Sequence, residues 1–212
     1  MAALAISVTA CGGSSTPTYP STESAAPTTS SAPAETKSDG VTTAADVFGA
    51  ACSKLPQGNA PGGLEAMGPQ PVATAASTNP LLKTLVTAVK AAGLVETLNS
   101  QKAITVFAPS DTAFADVQKA LGDAKFKALL ANTEALGTVL KGHVIAERYD
   151  RAGLAKEGTV STLSGSSLTV KDTGATLTVT DGSGATANVL CGNIPTANAT
   201  VFVIDKVLMS GK

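Results

Sequence analysis

The sequence predicts a single α+β domain over residues 47–210, held behind a disordered tether. Three patterns point there. Residues 12–40 hold seven Ser, six Thr and four Pro, 17 of 29 positions, with no Leu, Ile, Val, Met or Phe. Such a stretch buries too little apolar surface to offset the entropy of ordering it. From Asn79 to Leu140 apolar residues recur at helical spacing. Beyond Lys156, short Thr/Val-rich runs alternate with glycines, the pattern of antiparallel strands and hairpins. Helices first and strands after make an α+β arrangement.

Taken in order, residues 1–11 read as the remnant of a lipoprotein signal. Ala2 to Val8 is apolar, and Val8-Thr9-Ala10-Cys11 places small residues just before a cysteine. Cys11 is therefore the expected lipidation site and the first residue of the mature protein. The apolar stretch is short and lacks a preceding Lys or Arg, so this reading sets the first residue inside a longer signal. Residues 12–46 form the linker. As a flexible coil of about 30 residues it averages about 30 Å, and in polyproline II it reaches about 90 Å. Cysteines stand at 11, 52 and 191. With lipid on Cys11, an even pair remains in an exported protein, and Cys52–Cys191 is the expected disulfide.

Within the domain, Asn79-Pro80 predicts a helix start, Asn as the cap and Pro in the first helical position. Leu81, Leu82, Leu85, Val86 and Val89 form its apolar stripe and Gly93 its end. Leu94–Leu98 adds a further turn. Ile104–Ala108 is a strand broken by Pro109, and Ser110-Asp111 caps a short helix carrying Phe114 and Val117. Residues 123–130 and 134–140 are two more helices. Strands are expected over 159–163, 167–171, 176–180 and 185–190, with a final, central strand over 200–209.

Two boxes carry a family resemblance. Thr105-Val106-Phe107-Ala108-Pro109-Ser110-Asp111-Thr112-Ala113-Phe114 resembles the first hallmark of fasciclin-type domains, and Val201-Phe202-Val203-Ile204-Asp205-Lys206-Val207-Leu208-Met209 resembles the closing one. Between them Gly142-His143-Val144-Ile145 is similar to the family's His-containing segment. Cys52, the 68–73 stretch, Leu94–Ser100 and the segment from Cys191 to Thr200 further resemble the branch of mycobacterial secreted immunogenic proteins and surface lipoproteins. The resemblance implies a wedge-shaped β-sandwich with helices along one edge. It also implies a surface adhesion or recognition role without a reaction. One departure is Gly142, where the family often carries a bulky residue.

The residues themselves argue the same way. Fifteen basic side chains face sixteen acidic ones, which disfavours nucleic acid as a partner. No G-x-S-x-G elbow is present, and His143 is the only histidine, so neither a catalytic constellation nor a transition-metal ligand set is written in the chain. Asp172, Asp181 and Asp205 match no calcium loop. No cofactor is expected. The binding candidates are Lys125, Lys127, His143 and Arg148, near the helical edge, the Asn132-Thr133 turn and the 146–150 loop. Asn198-Ala199-Thr200 fits a glycosylation sequon that reads as chance. The expected function is an exported, lipid-anchored recognition module at the outer face of the cell membrane, whose partner is a matrix protein or glycan. The alternative is an envelope-associated lipid-binding or hydrolytic protein on the same scaffold. A deep apolar pocket of several hundred cubic ångströms discriminates in favour of the alternative.

Overall fold

The computed structural model describes residues 40–56 and 58–209. The expected lipidation of Cys11 and the linker up to residue 39 lie outside the described residues.

Two strands form the middle of the domain. β1 (Ile104–Pro109) and β7 (Ala199–Ile204) run parallel, from Ile104 opposite Ala199 to Pro109 opposite Ile204. Every residue of both is buried. Between them in sequence come β2 (Val144–Ile145), β3 (Thr159–Ser161), β4 (Ser167–Asp172), β5 (Leu177–Thr180) and β6 (Thr186–Pro195). The seven strands form one sheet in the order β2-β1-β7-β6-β5-β4-β3. β6 pairs with β5 through residues 186–188 and with β7 through 189–195, with register irregularities that let it serve both halves. Ile145 bridges Thr162, and the Leu163 N–H donates to the Val144 carbonyl at 2.7 Å, so the two ends of the sheet meet. The expected sandwich is thus one sheet folded onto itself.

The helices are α1 (Leu64–Met67), α2 (Val72–Thr78), α3 (Lys83–Ala91), α4 (Val95–Ser100), α5 (Asp111–Leu121), α6 (Asp123–Ala131), α7 (Thr133–Lys141) and α8 (Arg151–Glu157). Side chains in a strand alternate between faces, so β1 and β7 divide the core in two. Ile104, Val106, Ala108, Ala199, Val201 and Val203 pack with the helical side chains. Phe107, Phe202 and Ile204 pack with Leu168, Leu177 and Val179 of the folded sheet. The Phe107 and Phe202 rings lie 5.6 Å apart.

Several sequence expectations shift in detail. Asn79 does not cap a helix at Pro80. Its Oδ1 accepts from the Leu81 N–H at 2.9 Å in a local turn, and α3 begins at Lys83, with Asp111 Oδ1 accepting from the Thr84 N–H at 2.8 Å. The last strand ends at Ile204, not Met209, because Asp205 turns to accept two bonds from Asn188. Residues 40–46, assigned by sequence to the linker, pack on the domain. Gly40 adopts φ +68°, and a Cβ there would lie 2.3 Å from the Arg148 carbonyl oxygen. Its own carbonyl accepts from Thr200 Oγ1 at 2.6 Å.

The same N-terminal segment straps across β6. Phe48 and Gly192 exchange backbone hydrogen bonds of 3.2 and 2.8 Å. A Cβ on Gly192 would meet the Phe48 ring at 2.5 Å. Cys52 and Cys191 are joined, across 139 residues of chain. Loop-closure entropy for such a span gives at most about 5 kcal/mol. Reduction under native conditions is predicted to lower the melting temperature by about 10 °C, measured by calorimetry with and without reductant. An unchanged melting temperature would show that the strap holds without its bond.

Candidate functional site

The helical half of the core is incompletely filled. Aromatic residues make up 3% of the chain, and the helices there present short side chains: Ala73 and Ala76 from α2, Val86 and Val89 from α3, Val95 from α4. These do not reach Val106 and Phe107 on β1, and a cavity of about 250 Å³ remains, with Leu140 of α7 and Val144 of β2 also in its wall. Its margin is formed by exposed polar residues, Thr74, Ser77, Lys90, Thr97 and Lys141. No acidic side chain lines it. An apolar hollow with a few polar groups at the edge is the form that small-molecule sites take.

His143 is among the lining residues, yet it is only 2% exposed. Its Nδ1 lies 2.8 Å from the Val139 carbonyl, and its Nε2 accepts from the Leu208 N–H at 2.9 Å. The neutral ring with its proton on Nδ1 satisfies both contacts. Burial pushes its pKa down to about 4, against the opposing pull of the Val139 carbonyl and the Asp181 charge. The expectation of a surface contact at His143 is therefore corrected. The imidazole ties α7 to the C-terminal segment.

Arg148 is likewise a strut. Its Nη2 donates to the carbonyls of Thr196 at 2.8 Å and Ala199 at 3.0 Å, and its Nε donates to Thr200 Oγ1 at 3.2 Å. The loop that carries it is fastened on either side. Thr105 Oγ1 donates to the Glu147 carbonyl and accepts from the Tyr149 N–H, each at 2.8 Å. Asp150 caps α8 through the Gly153 N–H at 2.7 Å. Lys125 and Lys127 stand exposed on α6, away from the cavity lining. The structure thus does not gather the four candidates into one site.

A matching family profile, the fasciclin domain, covers residues 80–210. The chain belongs to the fasciclin-domain family. This fasciclin domain is 39% identical over 173 residues to the immunogenic protein MPB70 of Mycobacterium bovis, spanning 78% of this chain and 83% of that one. It is equally identical to the cell surface glycolipoprotein MPT83 of Mycobacterium tuberculosis, over 78% of this chain and 73% of the relative. Among solved structures, a fasciclin domain pair from the insect cell adhesion molecule fasciclin I superposes with a TM-score of 0.51 at 21% identity. That match covers 61% of this chain and 45% of the pair.

Three residues of this fasciclin domain have roles that sequence reasoning did not find. Asn198, inside the apparent sequon, is buried. Its Oδ1 accepts from the Val72 N–H at 2.8 Å, and its Nδ2 donates to the carbonyls of Leu98 and Gln101, each at 2.8 Å. It staples the start of α2 to the end of α4, beside the cavity, and its amide is not presented for modification. Arg151 and Asp172 form a two-pronged ion pair of 2.7 and 2.6 Å, which holds the Asp172 carboxyl below the usual carboxylate range. The same guanidinium lies 4.4 Å from the centre of the Phe48 ring. Nothing in local spacing signals contacts between residues so far apart in sequence.

The buried imidazole makes a pH prediction. An unfolded His binds a proton near pH 6.5, whereas the folded one resists until about pH 4. Between these values the unfolded state holds more protons, so His143 makes stability fall as pH falls, by roughly 3 kcal/mol across the window. His143→Ala should be less stable than the parent at pH 7.5, since two backbone partners lose their bonds. In denaturant unfolding from pH 7.5 to 4.5 the gap between them should narrow. Parallel curves would contradict a neutral buried ring.

Proposed function

We propose that this fasciclin domain is an exported, lipid-anchored recognition module displayed at the outer face of the cell membrane, and that it binds without turning anything over. The observation that carries the second half is the state of His143. The chain's single imidazole has both nitrogens committed to backbone partners, which removes the group best suited to act as a base near neutral pH. Among the described residues no three His, Cys, Asp or Glu side chains gather as metal ligands. Family membership, and relatives named as surface glycolipoproteins, support the display half. So does the small-residue run ending in Cys11, followed by a tether long enough to carry the domain away from a bilayer.

Recognition of an extracellular protein or glycan partner is assigned to the helical edge, where Lys125 and Lys127 are exposed on α6. Nucleic acid is not among the proposed partners. The cavity beneath α2, α3 and α4 favours the lipid-binding half of the alternative reading, as an added capacity of the same domain. It lends nothing to hydrolysis.

Anchoring is tested in the full-length precursor. Several acyl chains on one residue hold a protein to a membrane where a single chain does not. Cys11→Ala is therefore expected to shift the protein from the membrane fraction to the culture fluid, or to leave it unprocessed, as read by fractionation and immunoblot. Undiminished membrane retention with normal processing would contradict the anchor.

A further inference from the structure

We propose that the cavity of the helical layer is a binding site for a single-chain anionic amphiphile, such as a medium-chain fatty acid. Its alkyl chain lies against Val89, Leu98 and Val106, and its head group is met by Lys90 and Lys141. This inference rests on the lipid-binding capacity proposed above and stands apart from the anchoring and adhesion readings.

Three observations lead to it. The first is size. An aliphatic cavity of about 150 Å³ takes up benzene, and a small molecule of liquid water occupies about 30 Å³. At a similar volume per carbon, the 250 Å³ hollow accepts a chain of about eight to ten carbons. The second is the character of its interior. Valine, leucine and alanine side chains give a chain nothing to hydrogen-bond, so the occupant has to be apolar along its buried length.

The third observation is the charge at the edge. Lys90 and Lys141 both border the cavity and both are exposed. Neither pairs with a carboxylate among the described residues. Lysine stems readily lie along apolar walls while the ammonium stays in water. Two ammonium groups and the hydroxyls of Thr74, Ser77 and Thr97 therefore frame the opening, and no carboxylate lines the cavity to repel an anion. A neutral hydrocarbon would leave this frame unused, and a cationic amphiphile would be repelled by it.

The test uses the full chain carrying Cys11→Ser, stripped of copurifying lipid, in titration calorimetry with straight-chain carboxylates of increasing length. Saturable one-to-one binding is expected below the micellar range. Affinity should rise about fourfold per added methylene and level off once the chain fills the hollow, near ten carbons. Decyltrimethylammonium should bind at least about tenfold more weakly than decanoate. Lys90→Glu with Lys141→Glu should reverse that preference. Val86→Trp, a half-buried wall position, should abolish binding while circular dichroism shows a folded chain.

The absence of saturable decanoate binding would overturn the proposal. So would an affinity that climbs past the plateau and ignores Val86→Trp, which marks adsorption to the surface. If head-group charge makes no difference in either protein, the assignment of an anionic ligand is wrong. Decanoate binding that is present in the Cys11→Ser chain and lost in the acylated protein would assign the hollow to the protein's own anchor, and would overturn it as a site for a free ligand.

Discussion

The burial of β1 and β7 on both faces is the constraint from which the rest of this domain follows. A parallel pair cannot be joined by a tight turn, so everything from Ser110 to Asn198 is the crossover between them. Strands buried on both sides need an apolar layer on each. The helices supply one, and the folded-over remainder of the sheet supplies the other. Two threonines on the inner faces, Thr105 and Thr200, would be costly without partners. Their hydroxyls are satisfied by the 147–149 loop, by Gly40 and by Arg148. The central pair thereby fixes the loop after β2 and the N-terminal strap in place. Arg148 and Gly40 belong to this framework.

Much of this was legible in the chain because it is local. The apolar periodicity of α3 and α5 to α7, the β-branched runs that became β1, β4, β5 and β7, and the Cys52–Cys191 pairing all show as pattern or arithmetic. The two hallmark boxes correspond to the two parallel strands, which is why they were the strongest signal. What sequence reading missed depends on distant partners. Asn79 looks like a helix cap by composition, but it closes its own turn because Asp111, far along the chain, occupies the capping place on α3. α2 and α8 carry mostly small or mixed residues and gave no clear stripe. Gly40 and Thr42 resemble in composition the residues that precede them, and only the contacts of Gly40 with Arg148 and Thr200 and the burial of Thr42 reveal them as part of the domain.

The candidate site shows the same division. His143 and Arg148 drew attention as scarce residue types, and both serve as internal fasteners. The cavity had no motif to announce it. It arises from what the chain lacks, since a composition of 3% aromatics leaves valine, alanine and leucine to span a gap between helices and sheet. The helical side holds Phe114 and Phe126, while on the other side Phe48 and Phe107 meet the Phe202 ring, edge-on at 6.3 Å and tilted at 5.6 Å. The helical half of the core holds the hollow, and the sheet-side cluster holds the fully buried Phe107 and Phe202.

The central claim is that β1 and β7 separate a filled core from a hollow one. The most direct measurement is a crystal structure of the protein under xenon pressure, since xenon enters dry apolar cavities and leaves packed interiors empty. The account predicts xenon between α2, α3, α4 and β1, and none between Phe107, Phe202 and the outer strands. A helical layer free of xenon, or xenon lodged among the phenylalanines, would contradict it.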